Sequence, residues 1–151
     1  MKQVFLFMVF FSAVFVSSAQ DQKRTQSFNL EKGLAVQGYD VVAYFSGKAI
    51  KGESSLAVIH QGIRYHFSST ANKEEFKKNP GKYEPQYGGW CAYAMGATGE
   101  KVEIDPETFK ILNGKLYLFY NKRFNNTLKT WNKDEQALKT KADANWGKLS
   151  H

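Results

Sequence analysis

The side chains best suited to chemistry gather around one cysteine. Cys91 is the only thiol in the 151-residue chain, and Met95 follows it four positions later. In a strand, Cys91, Tyr93 and Met95 share a face through the period of two; in a helix, Cys91 and Met95 share one through the spacing of four. Either way the two sulfurs point together. Thiolate and thioether are soft donors that favour copper(I), and imidazole suits several divalent metals. Cys91 and Met95 with His60 or His66 are therefore a candidate three-ligand site for copper or another heavy metal. The competing reading puts both sulfurs in the core, because free cysteine is among the most buried residue types and methionine is a common gap filler.

Two further kinds of site use the same stretch, Tyr83 to Gly96. A thiol enzyme would place Cys91 after the Gly88-Gly89 pair, at the start of a short helix, with a histidine as base. No local signature of a thiol enzyme surrounds Cys91, and Asp40, Glu103 and Asp105 read as turn and surface residues. A binding module without metal would instead use Tyr39, Tyr44, Tyr87, Trp90 and Tyr93 to line an apolar pocket beside Gly88 and Gly89. That reading expects an enclosed cavity next to the glycine pair.

These residues need elements to hold them. Ser55 to His60 and Ile63 to Phe67 flank Gln61-Gly62, which predicts a hairpin with Val58 opposite Tyr65. In that register Leu56, Val58, Ile63, Tyr65 and Phe67 share a face with His60 at its end, while His66 lies on the other face with Ala57, Ile59 and Arg64; a three-residue loop would instead put His60 and His66 on the same face. Ser68 or Ser69 caps a helix running to Lys78, anchored by Phe76 and ended by Pro80. Lys101 to Ile104 alternates as a strand, and Asp105-Pro106 signals a turn. Asn113-Gly114 then joins Phe109–Leu112 to Lys115–Tyr120 in the chain's strongest hairpin signal. Both faces of the second strand are apolar, which predicts a central position. Leu128, Trp131, Leu138, Ala142 and Trp146 recur at helical spacing, as one broken helix or two short ones. Val41 to Phe45 is too short an apolar run to assign.

Length and composition bound the rest. Lys2, the apolar run Val4 to Val16 and then Ser17, Ser18 and Ala19 read as a secretory signal peptide over residues 1–19. Residues 20–27 are polar and aperiodic and read as a flexible leader. Residues 28–151 fit a single domain with a core of its own, and a lone cysteine forms no internal disulfide. The formal charge of +7 is spread along lysine-bearing faces, without the basic stripe and recognisable module that nucleic acid binding calls for. No membrane span is expected once the signal peptide is removed.

Gly38 to Phe45, Gly62 to Ser69, Phe76 to Tyr83, Pro85 to Ala94, Asp105-Pro106 and Ala142 to Trp146 together resemble a YHS domain of the exported bacterial kind. The likeness covers nearly all of residues 28–151. It implies a small α+β domain that binds heavy metal, most often copper. Short metal-associated forms carry cysteines at the positions that are Ser68 and Asn72 here, leaving Cys91 as the only thiol. The expectation is thus an exported α+β protein, periplasmic or secreted. It has a small, mainly antiparallel sheet, one short central helix and a C-terminal amphipathic helix. Its function is non-catalytic binding of copper or another heavy metal near Cys91, or of a small molecule in an aromatic-lined pocket.

Overall fold

The computed structural model describes residues 19–150; the apolar run of the expected signal peptide lies outside them. Residues 19–27 are helical (α1), where the sequence predicted a flexible leader. The reason is tertiary. Arg24, which lies over the neighbouring Phe28 ring at 4.5 Å, forms an ion pair with Glu84, 60 positions on, so polar residues with no periodicity of their own are held by a distant partner.

Strands β1 (Leu30–Glu31), β2 (Leu34–Ala35), β3 (Glu53–His60) and β4 (Ile63–Phe67) form one sheet in the order β1-β2-β4-β3. Its pairings are antiparallel except for β2 beside β4, which meet in parallel at Leu34 and Arg64. The β3–β4 hairpin has the register its two-residue loop demands, with Val58 opposite Tyr65 and His60 opposite Ile63. Ile63, Tyr65 and Phe67 are buried while Ile59 is 65% exposed, as alternation across a one-sided sheet requires. Helix α2 (Thr70–Lys78) starts at Ser69, whose hydroxyl accepts the Asn72 N–H at 3.1 Å, and its buried residue is Phe76. Pro80 ends α2 but also opens a further turn, α3 (Pro80–Tyr83), since proline has no N–H to lose at a first helical position.

After the Gln86–Gly89 turn comes α4 (Ala92–Ala97), so the helical reading of Cys91 and Met95 is the correct one, with Cys91 at the N-cap. Lys101 to Ile104 is irregular rather than a strand. Its carbonyls are spent elsewhere: Val102 accepts the Cys91 N–H at 2.9 Å and Ile104 accepts the Gln37 side chain at 3.2 Å. Strands β5 (Asp105–Leu112) and β6 (Lys115–Phe119) pair around Asn113-Gly114, and Leu112 faces Lys115. The turn signal at Asp105-Pro106 is expressed inside β5 as a register break before Phe109, where the Asp105 carboxylate accepts from Glu107 N–H and Thr108 Oγ1. A small hairpin, β7 (Asn121–Lys122) and β8 (Asn125–Asn126), precedes α5 (Thr127–Trp131) and α6 (Glu135–Leu149). The C-terminal pattern is therefore two helices.

Strand β6 is the divider of the interior. Leu116 and Leu118 join a core with Tyr44, Tyr65, Phe67, Phe76 and Cys91. Tyr117 and Phe119, on the other face, join a second core with Tyr87, Met95, Trp131 and Ala142. The expected central strand is thus buried on both faces, although β5 is its only strand partner and Pro85 its only further bridge among the described residues. Helices α4 and α6 close over the second core at Gly96. A Cβ there would lie 2.4 Å from the Leu138 carbonyl oxygen, so no larger residue permits this crossing. The architecture is α+β, with mainly antiparallel sheets and several packed helices.

Candidate functional site

Cys91 is fully buried. Its Sγ accepts the Tyr120 N–H at 3.3 Å and lies 3.4 Å from Thr127 Oγ1. The single hydroxyl hydrogen of Thr127 is used on the Tyr120 carbonyl at 2.8 Å, so the thiol is the donor toward Thr127. The side chain makes no capping bond to α4. Met95, although on the same short helix, belongs to the second core and is also fully buried. The two sulfurs therefore pack into different clusters.

The histidines do not join them. His60 faces α2, with its ring 6.0 Å from that of Phe76 in an edge-on arrangement. His66 lies on the opposite face, beside Gly38. Burial, and then the nearby Arg64 charge, hold its imidazole below the usual histidine value. Cys91, Met95, His60 and His66 are thus not one donor set. Among the described residues no cluster of three or more His, Cys, Asp and Glu side chains is placed to hold a metal ion.

Ser68 and Asn72, the positions where the resemblance implies ligands, do converge, and they converge on Asp40. The Asp40 carboxylate is fully buried. Its Oδ2 accepts from Ser68 N–H at 2.8 Å, Ser68 Oγ at 2.6 Å and Asn72 Nδ2 at 2.8 Å; its Oδ1 accepts from the N–H groups of Val42 at 2.9 Å and Ala43 at 3.2 Å. Five donors occupy the roughly four lone-pair directions of a carboxylate, which leaves none for a ligand. Reading Asp40 as a turn and surface residue missed its burial. The local signal was the Asp-Val-Val-Ala run, in which an aspartate can accept from the backbone two and three residues on.

The aromatic candidates scatter in the same way. Tyr44 is fully buried and donates to the Pro106 carbonyl at 2.6 Å, and burial raises its phenol far above the usual tyrosine value. Tyr39 sits near Glu107 at 3.5 Å. Tyr93 packs between the two cores. Trp90 donates its indole N–H to the Ser27 carbonyl at 2.7 Å. Of the expected pocket residues, Tyr87 and Gly88 line an actual recess.

That recess is an open groove of about 1080 Å³ between α1, the Gln86–Gly89 turn and the end of α6. Phe28, Tyr87 and Trp146 supply its aromatic surface. Asp21, Lys23, Arg24 and Glu84 supply two charges of each sign. Tyr65 also donates to Glu84 at 2.7 Å, so Glu84 ties the α1 wall to the main sheet. The Tyr87 phenol, raised by burial and by its 2.8 Å bond to Asp143, stays neutral and faces its hydrogen toward that carboxylate.

The glycine pair makes the groove possible. Tyr87, Gly88 and Gly89 all have positive φ. A Cβ on Gly88 would stand 2.8 Å from Trp146 Cη2 and 3.1 Å from Phe28 Cα. The close approach admits a clasp of three bonds: Asn29 N–H to the Gly88 carbonyl at 2.9 Å, Asn29 Nδ2 to the Gly89 carbonyl at 3.2 Å, and Trp90 to Ser27. The stretch that looked like a ligand centre is thus where the N-terminal segment docks. Sequence reasoning missed the α1 side of the groove because nothing local marks residues 19–27 as folded.

Comparison with protein-family models, with curated proteins and with solved structures found no match for the chain.

Proposed function

We propose that this is a non-catalytic binding protein, exported from the cell, that takes a small organic molecule in the groove between α1, the Gln86–Gly89 turn and α6. The observation that carries the reading is the groove itself. At about 1080 Å³ it lies just above the usual size range of small-molecule sites, roughly 300–1,000 Å³, and it combines aromatic surface with convergent polar groups. Its paired charges of opposite sign suit an uncharged or zwitterionic ligand with a flat apolar part against Phe28, Tyr87 and Trp146. The YHS-like pattern fits a binding role. The metal form of that role, near Cys91, is less favoured because a ligand would have to enter a sealed core and displace Tyr120 and Thr127.

The three indole N–H groups give an internal readout, since Trp146 lines the groove, Trp90 is held by Ser27 and Trp131 is fully buried and bonded to Glu135. In nitrogen-15 spectra, neutral N-acetyltryptophanamide and zwitterionic tryptophan are expected to shift Trp146 and Gly88 and to leave Trp131 still. Addition of copper(I) is expected to leave the Tyr120 amide unmoved. No response at Trp146 to either probe sinks the groove reading, and a copper-dependent shift at Tyr120 moves the site to Cys91.

A further inference from the structure

The β7–β8 hairpin carries the most exposed large apolar side chain of the described residues. Phe124 shows 106% of its reference surface, against 65% for Ile59, the next most exposed. It sits in the two-residue tip between Lys122 and Asn125, which are paired, beside Arg123. Lys122 and Arg123 are also exposed, and neither takes part in an ion pair among the described residues. From Thr108 to Lys133 there are six basic residues and no acidic one. The tip is therefore an aromatic side chain held out in water within a positively charged run.

Its base is fixed. Thr127 donates its backbone N–H to the Tyr120 carbonyl at 3.0 Å and its hydroxyl to the same oxygen, and Tyr120 N–H is held by Cys91 Sγ. Asn121 Nδ2 donates to Thr108 Oγ1 at 3.0 Å on β5. The buried thiol thus closes the neck of the hairpin. Arg123 holds a φ of +56°, a left-handed region that is unfavourable for a side-chain-bearing residue and that glycine would enter freely. A cation stands there at some local cost.

We propose that this hairpin docks the protein onto an anionic lipid bilayer, with Phe124 entering the headgroup boundary and Lys122 and Arg123 facing lipid phosphates. A protein pocket is the less suitable partner. Specific protein interfaces bury more than about 1,000 Å² in total, and a tip of one exposed aromatic on two-residue strands offers far less. A bilayer accepts shallow insertion of a single aromatic at its interface and supplies the complementary negative charge. The groove lies on other elements, so this inference stands or falls apart from the ligand it holds.

Sedimentation with phosphatidylcholine vesicles, with and without 30% phosphatidylglycerol added as an experimental choice, tests it on the full chain as purified. Native protein is expected to favour the anionic vesicles and to dissociate from them as salt rises. Lys122→Gln with Arg123→Gly, which removes both charges and relieves the backbone, is expected to weaken that preference about 30-fold. Phe124→Ser is expected to weaken binding to the anionic vesicles about tenfold. All three positions are exposed, so a melting midpoint that does not fall below the native one is the folding control. Equal binding to both vesicle types overturns the proposal, as does anionic binding that both variants retain; absence of binding to either overturns it in favour of a protein partner.

Discussion

Replacing Gly88 by alanine tests whether the glycine turn exists to dock the N-terminal segment. Two costs add. A φ of +61° sets alanine in the left-handed region at about 1 kcal/mol. The new Cβ would also meet Trp146 Cη2 at 2.8 Å and Phe28 Cα at 3.1 Å. The indole is the end of a side chain and can turn aside; the Phe28 backbone can retreat only by stretching the Asn29 and Ser27 bonds to Gly88, Gly89 and Trp90. Overpacking of this kind costs about 1–3 kcal/mol, so the clasp should weaken by about 2–4 kcal/mol in all, roughly 30- to 1,000-fold in its opening equilibrium. Hydrogen exchange at the Asn29 amide, with limited proteolysis across residues 19–29, reads that opening directly. Gly89→Ala is the matched control. Its φ of +83° carries the backbone cost, but its Cβ would make only ordinary contacts, with Pro85 Cγ at 3.4 Å and Asn29 Cβ at 3.9 Å, so a loss of about 1 kcal/mol is expected. If the two variants lose the same stability and Asn29 exchanges at the native rate in both, the close approach at Gly88 is not what holds the segment.

Asp40→Ala removes the acceptor of five hydrogen bonds and strands backbone donors at Val42 and Ser68, while Ala43 N–H keeps the residue-40 carbonyl at 3.1 Å; with bonds to a charged group worth about 1.5–3 kcal/mol each and not additive, denaturant unfolding should show a loss of at least about 3 kcal/mol, and a loss under about 1 kcal/mol contradicts the network. Glu135 accepts from Lys110 and from Trp131 Nε1, and those hydrogen bonds, that of Lys110 first, hold its carboxyl below the usual glutamate value. Its folded value lies below its unfolded one, so its contribution is complete above the ordinary glutamate range, near pH 4.3, and is lost as pH falls through the folded value. The melting midpoint of Glu135→Gln should therefore fall less steeply below pH 4 than that of the native chain, and parallel curves would count against the pair.

Much of the scaffold was legible because it rests on local rules. The β3–β4 register follows from a two-residue loop and a period of two, and the Asn113-Gly114 hairpin from the same kind of turn chemistry. Ser69, Phe76 and Pro80 set the start, anchor and end of α2 from the order of residues alone. Where the reading departed, the deciding groups lie far apart in the chain. Residues 19–27 are helical against Glu84, 60 positions beyond Arg24; Lys101 to Ile104 is irregular because Cys91 and Gln37 take its carbonyls.

The same division runs through the candidate site. Residue order determined that Cys91, Met95 and the glycine pair would lie within a few residues of one another, and that His60 and His66 would face apart in a tight hairpin. Only tertiary packing decided that β6 would pass between the two sulfur environments, committing Cys91 to one core and Met95 to the other. Spacing along a helix sets a direction within about one turn, but what fills the space in that direction comes from other segments: Tyr120 and Thr127 for the cysteine, Trp131 and Ala142 for the methionine, Phe28 and Trp146 for the glycines.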